Sequence, residues 1–477
     1  MNRRFYGAHP LMIFALMRPF LFVLILPVLR GIAQYLTTGK ITGVLLQEIL
    51  LTVAIVSISV LRYMAFKIET DGDLIIIRQG FLFKSESVIN RSKISSVTAL
   101  VSPIDKIFCS VTYRIDTEAG VSGRNDFSFK LHKSDANALY FLLYGTQNSA
   151  WLRFSASKQA VFAAATSSAV TGLVLGVPIV NNIGKILNIA LSRILFDEIN
   201  QASLRIKAVF PPVVRLITLI LITGYAISFA VTFLRMSGFR LKTGEQKAEI
   251  KSGILFKSHT AFKKSAINDI FIEQTPVMRI FGLFSIICAV GGYGNKKGEK
   301  AVIVPAATRK EITAHLKELF PQFRFDMPQI IPKRSKRNAF RFLYTARLYA
   351  KAVIISTAVS CVLFPAVYRL LLTLGIILMA FAVYYGNLCL WCYKNGGLSL
   401  GNTVKAVGVS GFAVRELYCD SQKVGEIRIT RTPADRKFGT CKAEIIIRSE
   451  SADRLKVRNI DYKDTMNSIY ESFKIFE

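Results

Sequence analysis

The sequence GFLFKS at residues 80–85 returns 173 residues later as GILFKS at residues 253–258. A second motif, SPIDKIFC at residues 102–109, returns at the same distance as TPVMRIFG and once more as TPADRKFG at residues 432–439. The interval from glycine to proline is 23 residues in the first two copies and 22 in the third, counted from Gly411. Three copies at a nearly constant internal spacing predict that one folding unit occurs three times.

Each copy carries the pattern of a small β domain that ends in a helix. In the first copy, runs rich in β-branched and aromatic residues lie at 74–78, 88–91, 94–101, 111–117 and 126–131. Turn residues separate these runs. The second copy closes with Thr308-Arg309-Lys310-Glu311, a capping box that predicts the start of a helix. Ser134 and Asp464 are the expected caps of the corresponding helices. We expect a strongly bent sheet plugged by one helix in every copy.

Long apolar runs separate the copies. The chain has 477 residues, of which 52% are hydrophobic and 19% are charged, a balance typical of membrane proteins rather than of large soluble enzymes. A helix needs ~20 apolar residues to cross the hydrocarbon core. The apolar runs lie at 11–29, 41–61, 159–180, 216–234 and 352–393. The last of them is long enough to cross the membrane twice. The sequence therefore predicts six transmembrane helices in three hairpins.

The repeats and the apolar runs together predict the order of the domains. The outer loop of the second hairpin has the period of an amphipathic helix, which lies at the outer interface or packs on other protein. The predicted segments are hairpin 1 at 1–61, a polar stretch at 62–148, hairpin 2 at 149–234 with its outer loop at 181–207, a polar stretch at 235–326, a basic linker at 327–351, hairpin 3 at 352–393 and a polar stretch at 394–477. The predicted fold class is a membrane α + β protein in which each hairpin is followed by a β module.

Basic residues outnumber acidic residues by two to one. The chain has 62 Lys and Arg against 31 Asp and Glu, a formal net charge of +31, which predicts an anionic partner. Nucleic acid and anionic lipid headgroups are the two candidates, and a nucleic-acid-binding protein would not need membrane spans. Lys and Arg close to the spans concentrate on the side of the polar stretches, so we expect these stretches to face the cytoplasm from the cell membrane. The predicted partner is a bilayer with anionic headgroups, and no nucleic acid is expected.

Three groups of basic residues are candidate contacts to anionic headgroups. Lys106, Arg279 and Arg436 occupy equivalent positions in the three copies of the proline motif. The second group, in a glycine-rich turn, is Lys296 and Lys297. The third group, in the linker, is Lys333, Arg334, Lys336 and Arg337. The alternatives are a solvated turn for the first group, a plain hairpin turn for the second and a topology signal for the third. In the solvated-turn alternative each basic residue lies beside a buried phenylalanine, namely Phe108, Phe281 and Phe438.

Charge inside the predicted spans is a further candidate for function. Arg18 and Glu48 interrupt the first two runs, and because an unpaired ion in hydrocarbon is costly, we hypothesise an intramembrane Arg18–Glu48 ion pair. Such a pair would suit an alternative function, that of a transporter or lipid-handling protein with a cavity between the hairpins. The four histidines do not stand at metal-ligand spacing, so no catalytic residue, metal or cofactor is predicted.

The glycine-led strand, the Pro-x-x-Lys/Arg-x-Phe turn and the paired spans resemble the bacterial pleckstrin-homology-like membrane proteins, which carry the type-2 bacterial PH domain. The resemblance is to the large members with three such domains, and it implies PH-like β-barrels, a place in the cell membrane and no known catalysis. The third copy departs from the pattern, because residues 401–405 are inserted. Members of the family are often encoded beside a shorter single-module relative, which implies a complex with that relative or self-association. We expect a non-catalytic binding and assembly platform, with a role in envelope integrity or in resistance to membrane-active compounds.

Overall fold

The computed structural model of the protein describes residues 4–17, 20, 43–117, 126–145, 149–174, 193, 197–201, 212–294, 299–321, 323, 328–332, 336–365, 368–448 and 453–473. The strands in these ranges are β1 (Arg4–Gly7), β2 (Lys67–Asp71), β3 (Leu74–Gln79), β4 (Ser85–Asn90), β5 (Ile94–Val101), β6 (Ser110–Thr117), β7 (Phe127–His132), β8 (Trp151–Arg153), β9 (Arg240–Thr243), β10 (Lys247–Ser252), β11 (Lys257–Lys263), β12 (Ile267–Gln274), β13 (Leu283–Val290), β14 (Ala301–Thr308), β15 (Gly397–Ser399), β16 (Thr403–Ser410), β17 (Ala413–Asp420), β18 (Val424–Thr430), β19 (Thr440–Ile447) and β20 (Arg454–Asp461). The helices are α1 (Met12–Met17), α2 (Gly43–Met64), α3 (Pro103–Ile107), α4 (Lys133–Tyr144), α5 (Ala156–Thr166), α6 (Pro212–Met236), α7 (Pro276–Ile280), α8 (Arg309–Leu319), α9 (Lys336–Leu363), α10 (Tyr368–Asn395), α11 (Pro433–Phe438) and α12 (Tyr462–Phe473).

Three modules repeat one arrangement of two antiparallel groups of strands and one closing helix. Module 1 contains β1–β7 and α4, module 2 contains β8–β14 and α8, and module 3 contains β15–β20 and α12. The five strands predicted for the first copy are confirmed as β3 to β7, with bounds within three residues of the predicted ones. Isolated bridges, Ala8 to Leu131 and Pro332 to Ile460, join the beginning of modules 1 and 3 to their last strand. A closed barrel stays a prediction.

The first strand of a module lies before its apolar helical segment, an arrangement that the sequence does not predict. β1 pairs with β2 from Arg4 opposite Thr70 to Gly7 opposite Lys67, across the whole first helical segment. β8 pairs in the same way with β9, and Ile330 bridges to Leu398 in module 3. The helical segment is therefore inserted between the first and second strands of each module. A strand of three or four residues is too short to show the period-2 pattern of a strand.

Strand pairing also joins the modules to one another. β5 of module 1 pairs with β11 of module 2, and β12 of module 2 pairs with β17 of module 3. The resulting sheets run in the orders β7-β6-β5-β11-β10-β9-β8 and β14-β13-β12-β17-β16-β15. At the two ends remain the four-stranded sheet β1-β2-β3-β4 and the three-stranded sheet β18-β19-β20.

The closing helix of each module packs its apolar face onto the sheets. In module 2, Ile312, Leu316 and Leu319 of α8 are buried in the same cluster as the strand residues. The predicted capping box is confirmed, with Thr308 and Glu311 bonded reciprocally. The caps predicted at Ser134 and Asp464 are wrong, because α4 begins at Lys133 and α12 at Tyr462. The Asp461 side chain accepts hydrogen bonds from the backbone amides at the start of α12.

Three described helices are long and apolar enough to cross a membrane: Leu216–Met236, Ala346–Leu363 and Leu371–Asn395. They coincide with the predicted spans at 216–234 and 352–393. α2 covers the predicted span at 41–61. In the second hairpin the helices approach closely through small residues, since a Cβ added to Gly172 would lie 1.5 Å from the carbonyl oxygen of Gly224. Tyr225 strengthens this contact by donating a hydrogen bond to the carbonyl oxygen of Ala164 over 2.8 Å.

Candidate functional site

The repeated GFLFKS motif forms a tight loop with an exposed apolar tip. Gly80 has φ +95°, and a Cβ there would lie 2.0 Å from the carbonyl oxygen of Phe83, so a residue with a side chain would be strained. The loop leaves Leu82 84% and Phe83 91% exposed. In module 2 the equivalent Ile254, Leu255 and Phe256 are also exposed. Adjacent apolar side chains held out in solvent in two modules are a surface that needs a partner.

The proline motif forms a second apolar projection in modules 1 and 2. Each short helix begins with a Ser or Thr cap followed by proline, as in Ser102-Pro103 for α3 and Thr275-Pro276 for α7. The exposed apolar side chains at these turns are Ile104, Ile107, Phe108, Ile280 and Phe281. The expectation of a buried phenylalanine is therefore wrong for Phe108 and Phe281. In module 3 the position of Ile107 is taken by the exposed Lys437, so α11 is less apolar.

The loops of modules 2 and 3 contact the long apolar helices, near the end of α6 in module 2 and near the middle of α10 in module 3. In module 2 the amide of Ile254 donates to the carbonyl oxygen of Leu234, and the Arg235 guanidinium lies 5.9 Å from the Phe256 ring. In module 3, Phe412 packs against three aromatic residues of α10, namely Phe381, Tyr384 and Tyr385. The Tyr384 hydroxyl donates to the Phe412 carbonyl oxygen over 3.1 Å. A cluster of amphipathic aromatic rings at one level is typical of a membrane–water interface.

The end of α10 beyond this level is apolar for a different reason. Leu388, Cys389 and Cys392 are buried, and the two cysteines form a cluster with Val409 of module 3. This part of the predicted span therefore packs on protein.

The equivalent basic residues lie next to the apolar projections, in the same short helices. Lys106 and Arg436 are exposed on α3 and α11, and Arg279 is half-buried on α7. Each stands one residue before the exposed position discussed above, Ile107, Ile280 or Lys437. The exposed Lys106 and Arg436 suit the boundary between headgroups and acyl chains, because the stem can lie in the apolar layer while the charge reaches water. Arg279 differs from them, since its Nη1 is buried.

The remaining predicted site residues lie at the limits of the described structure. Lys336 and Arg337 open helix α9 and Glu48 lies in helix α2, but their side chains are not among the described ones. Arg18, Lys296, Lys297, Lys333 and Arg334 lie outside the described residues altogether. Most of the amphipathic loop at 181–207 does so too. The intramembrane ion pair and these headgroup contacts stay predictions.

One position at the start of the short helices ties a module to its surroundings, and the sequence analysis does not single it out. In module 3, Asp435 is buried and forms an ion pair with Arg341 of helix α9. In module 1 the equivalent Asp105 pairs with Lys130 inside the module. Although burial opposes ionisation, hydrogen bonds from Thr432 and Arg341 hold the pKa of Asp435 below its ordinary value. In the sequence, Asp435 has only the signature of a capping box.

Module 2 uses an apolar residue at the same position. Met278 is fully buried and packs with Phe162 of helix α5. The short helix thus contacts a neighbouring helix, by an ion pair to α9 in module 3 and by apolar packing on α5 in module 2. Lys158 of α5 adds an ion pair to Glu311 of α8, at 2.6 Å.

Comparison with known proteins supports the first two copies of the repeat. Residues 14–146 and 185–320, together more than half of the chain, match the family described as Bacterial PH domain. The chain belongs to the Bacterial PH domain family. The two matched stretches end with modules 1 and 2, and module 3 has the same strand order. No curated protein and no solved structure matches the chain.

Polar groups are buried where one bacterial PH module meets the next. Between modules 1 and 2, Nε2 of His259 lies 2.9 Å from the Tyr140 hydroxyl and 3.2 Å from a Glu249 carboxylate oxygen. Burial lowers the pKa of His259 below its ordinary value, although Glu249 opposes the shift. Between modules 2 and 3, Arg415 pairs with Glu273 at 2.9 Å directly across the strands. These contacts fix the modules against each other. The Bacterial PH domain family is one of generally non-catalytic binding domains.

Proposed function

We propose that this protein is a non-catalytic, membrane-anchored platform whose three PH-like modules are held with their apolar loops in the membrane surface. The observation that carries the proposal is the contact of loops 253–256 and 411–413 with the long apolar helices, at the point where their protein-facing or polar residues begin. The loops of a module and its membrane helices thereby reach one bilayer together.

The apolar tips contribute enough free energy to hold a tethered module in place. Burying a Leu or Phe side chain fully gives about 1.5–3 kcal/mol. Leu82 and Phe83 are nearly fully exposed in the protein, so most of this gain is still available to them at a bilayer. Because the membrane helices already keep the module close to the lipid, even part of this gain suffices to order it.

The six spans, the location in the cell membrane and the cytoplasmic position of the modules belong to the same proposal. The basic residues near the spans support the orientation, since an anionic cytoplasmic leaflet attracts a nearby Lys or Arg by about 1 kcal/mol each. Lys106, Arg279 and Arg436 are the described residues that would contact headgroups. Three modules joined edge to edge offer a wide inner surface for binding partners, among them a shorter PH-like relative or a second copy. A role in envelope integrity or in resistance to membrane-active compounds follows from such a surface.

Tryptophan fluorescence tests the position of the loops. The chain contains two tryptophans, Trp151 and Trp391, which are replaced by Phe so that one new tryptophan reports alone. In vesicles of phosphatidylglycerol and brominated phosphatidylcholine, the full-length Phe83→Trp protein is expected to be strongly quenched. The matched control is Tyr470→Trp, at an exposed aromatic position of the closing helix of module 3. Equal quenching in the two proteins would show that the loop of module 1 does not enter the membrane.

The native Cys109 tests the orientation without any added cysteine. Cys109 is exposed at the end of α3 in module 1. A membrane-impermeant maleimide is expected to label it only after cells are permeabilised, and the Cys109→Ser protein identifies the labelled site. Labelling of Cys109 in intact cells would contradict the cytoplasmic orientation.

A further inference from the structure

Both junctions between modules use the same pair of strands in the same register. At the first junction Ser96 of β5 lies opposite Phe262 of β11, and Val101 lies opposite Lys257. At the second junction Asp269 of β12 lies opposite Cys419 of β17, and Gln274 lies opposite Val414. The repeat maps residues 96 and 101 onto 269 and 274, and residues 257 and 262 onto 414 and 419, without any shift. The junction is therefore a repeated property of the module.

Each terminal module contains one strand that is equivalent to a junction strand but takes part in no junction within the chain. Module 1 has β4, the equivalent of β11 and β17, and module 3 has β18, the equivalent of β5 and β12. Among the described residues, β4 pairs with β3 alone and β18 with β19 alone. Within the part of the chain that the structure describes, the outer edge of each of these two strands is thus open, while the equivalent edges at both junctions are covered.

Side-chain burial distinguishes the open edges from the covered ones. Val88 on β4 is 58% exposed, whereas its equivalent in module 2, Ala261, is fully buried. On β18, Ile427 is half-buried, whereas its equivalents Val97 and Ile270 are fully buried. Covering an edge of this type buries β-branched side chains, which the ends of the chain still expose.

We propose that β18 of one copy pairs with β4 of a second copy, so that the protein assembles head to tail through a third junction of the same kind. The inherited register sets Glu426 opposite Ile89, Ile427 opposite Val88, and Thr430 opposite Ser85. Ile427 and Val88 form a β-branched cross-strand pair, and no like charges oppose each other over these five positions. At the sixth position of the register, Arg431 lies opposite Lys84, one residue beyond the end of β18 and one residue before the start of β4. The occupant is a second copy because one chain carries one edge of each kind.

The geometry of such a contact restricts the product. The two edges differ, so the interface is heterologous and closes into a ring or grows as an open chain. The inference deepens the proposed platform and rests on it in one respect: hairpins that share one bilayer keep all copies in one plane. A planar ring or arc of modules is then the expected form. Charged residues on both edges, such as Glu86 and Arg428, disfavour pairing with unrelated strands.

Site-directed crosslinking between two differently tagged full-length copies tests the register. One copy carries Val88→Cys and the other Ile427→Cys, and residues directly opposite in an antiparallel pair have Cα atoms about 4.5–5.5 Å apart. A short bismaleimide in native membranes is expected to give a crosslinked pair of the two copies. A chain that carries both cysteine substitutions is expected to give a ladder of dimers, trimers and higher oligomers. Each single variant reports the background of the seven native cysteines. Val88→Cys combined with Tyr470→Cys is the control for random collision.

Blocking one edge provides a second measurement. Val88→Lys changes an exposed side chain, so the module is expected to stay folded, while the added charge prevents pairing. The expected result is loss of the higher oligomer in gentle detergent at an unchanged melting temperature, with Tyr470→Lys as the matched control. Crosslinking no stronger than the collision control, crosslinking of Val88→Cys to itself, or crosslinking only to another protein would each overturn the proposal. Quenching of Phe83→Trp by brominated lipid is independent of these results, so a failed junction and a failed platform are distinguishable.

Discussion

Removing the carboxylate of Asp435 is expected to loosen module 3 from helix α9. Asp435 accepts a hydrogen bond from the Thr432 hydroxyl at 2.6 Å and forms an ion pair with Arg341 of α9. Arg341 also donates to the Thr440 hydroxyl at 2.8 Å, and its guanidinium lies 4.8 Å from the Phe438 ring. An Asp435→Ala change leaves this guanidinium without its counterion in a largely closed site.

The expected loss follows from the burial of the two side chains. Breaking a buried ion pair by removing one partner costs about 3–5 kcal/mol. Arg341 and Asp435 retain 16% and 10% of their side-chain exposure, so partial solvation places the loss near the lower end, about 3 kcal/mol. Of this, about 1 kcal/mol is the helix cap that Asp435 shares with Thr432. Arg341→Phe combined with Asp435→Met copies the apolar contact of module 2 and is expected to recover about half of the loss.

Thermal unfolding of the full-length Trp151→Phe protein in detergent, followed by the fluorescence of the remaining Trp391, measures the effect. A loss of 3 kcal/mol corresponds to a fall in melting temperature of about 6–12 °C for a unit of 150–250 residues. The matched control is Asp464→Ala, which removes an exposed carboxylate from the start of α12. If Asp435→Ala lowers the melting temperature no more than Asp464→Ala does, the ion pair does not hold module 3 to α9.

Three more predictions concern the junctions and the hairpins. Burial raises the pKa of Asp116 to about 7, so its protonated form stabilises the fold below pH 3.8 and this contribution is lost as the pH rises through 7. Asp116→Asn is therefore expected to have a free energy of unfolding higher than that of the parent by up to about 4 kcal/mol at pH 8, with a higher melting temperature, and nearly the same stability as the parent at pH 4. A double-mutant cycle on Lys158→Ala and Glu311→Ala is expected to give a coupling of about 1 kcal/mol, since both side chains are partly solvated. Gly172→Ala is expected to lower the melting temperature by several degrees because its Cβ would meet backbone, whereas Gly401→Ala, which meets nothing within 4 Å, is not. A flat pH profile for the aspartate change, zero coupling, or equal effects of the two glycine changes would contradict the respective argument.

The apolar loops and the module boundaries show where inference from sequence stops. The sequence indicates that residues 80–85 and 253–258 are equivalent. It cannot tell a buried Phe from an exposed one, because the solvent exposure of a side chain depends on the surrounding fold and not on the residue type. The basic residue beside each projection is predicted from the repeat. The solvent exposure of its apolar neighbours, and the contacts of the loops to α6 and α10, emerge only in the tertiary structure. Arg341 and Asp435 are 94 residues apart, so no local pattern connects them.

The sequence by itself determined the threefold repeat, the alternation of β modules with apolar helices, and five strands of module 1, since each of these leaves a local period or spacing in the chain. Only the tertiary structure decided which strands pair. Thr98 and Thr260 lie 162 residues apart and share a side-chain hydrogen bond across the first junction. Pairing of antiparallel edges depends on register and on the path of the chain in space, and neither is encoded in the composition of a single strand.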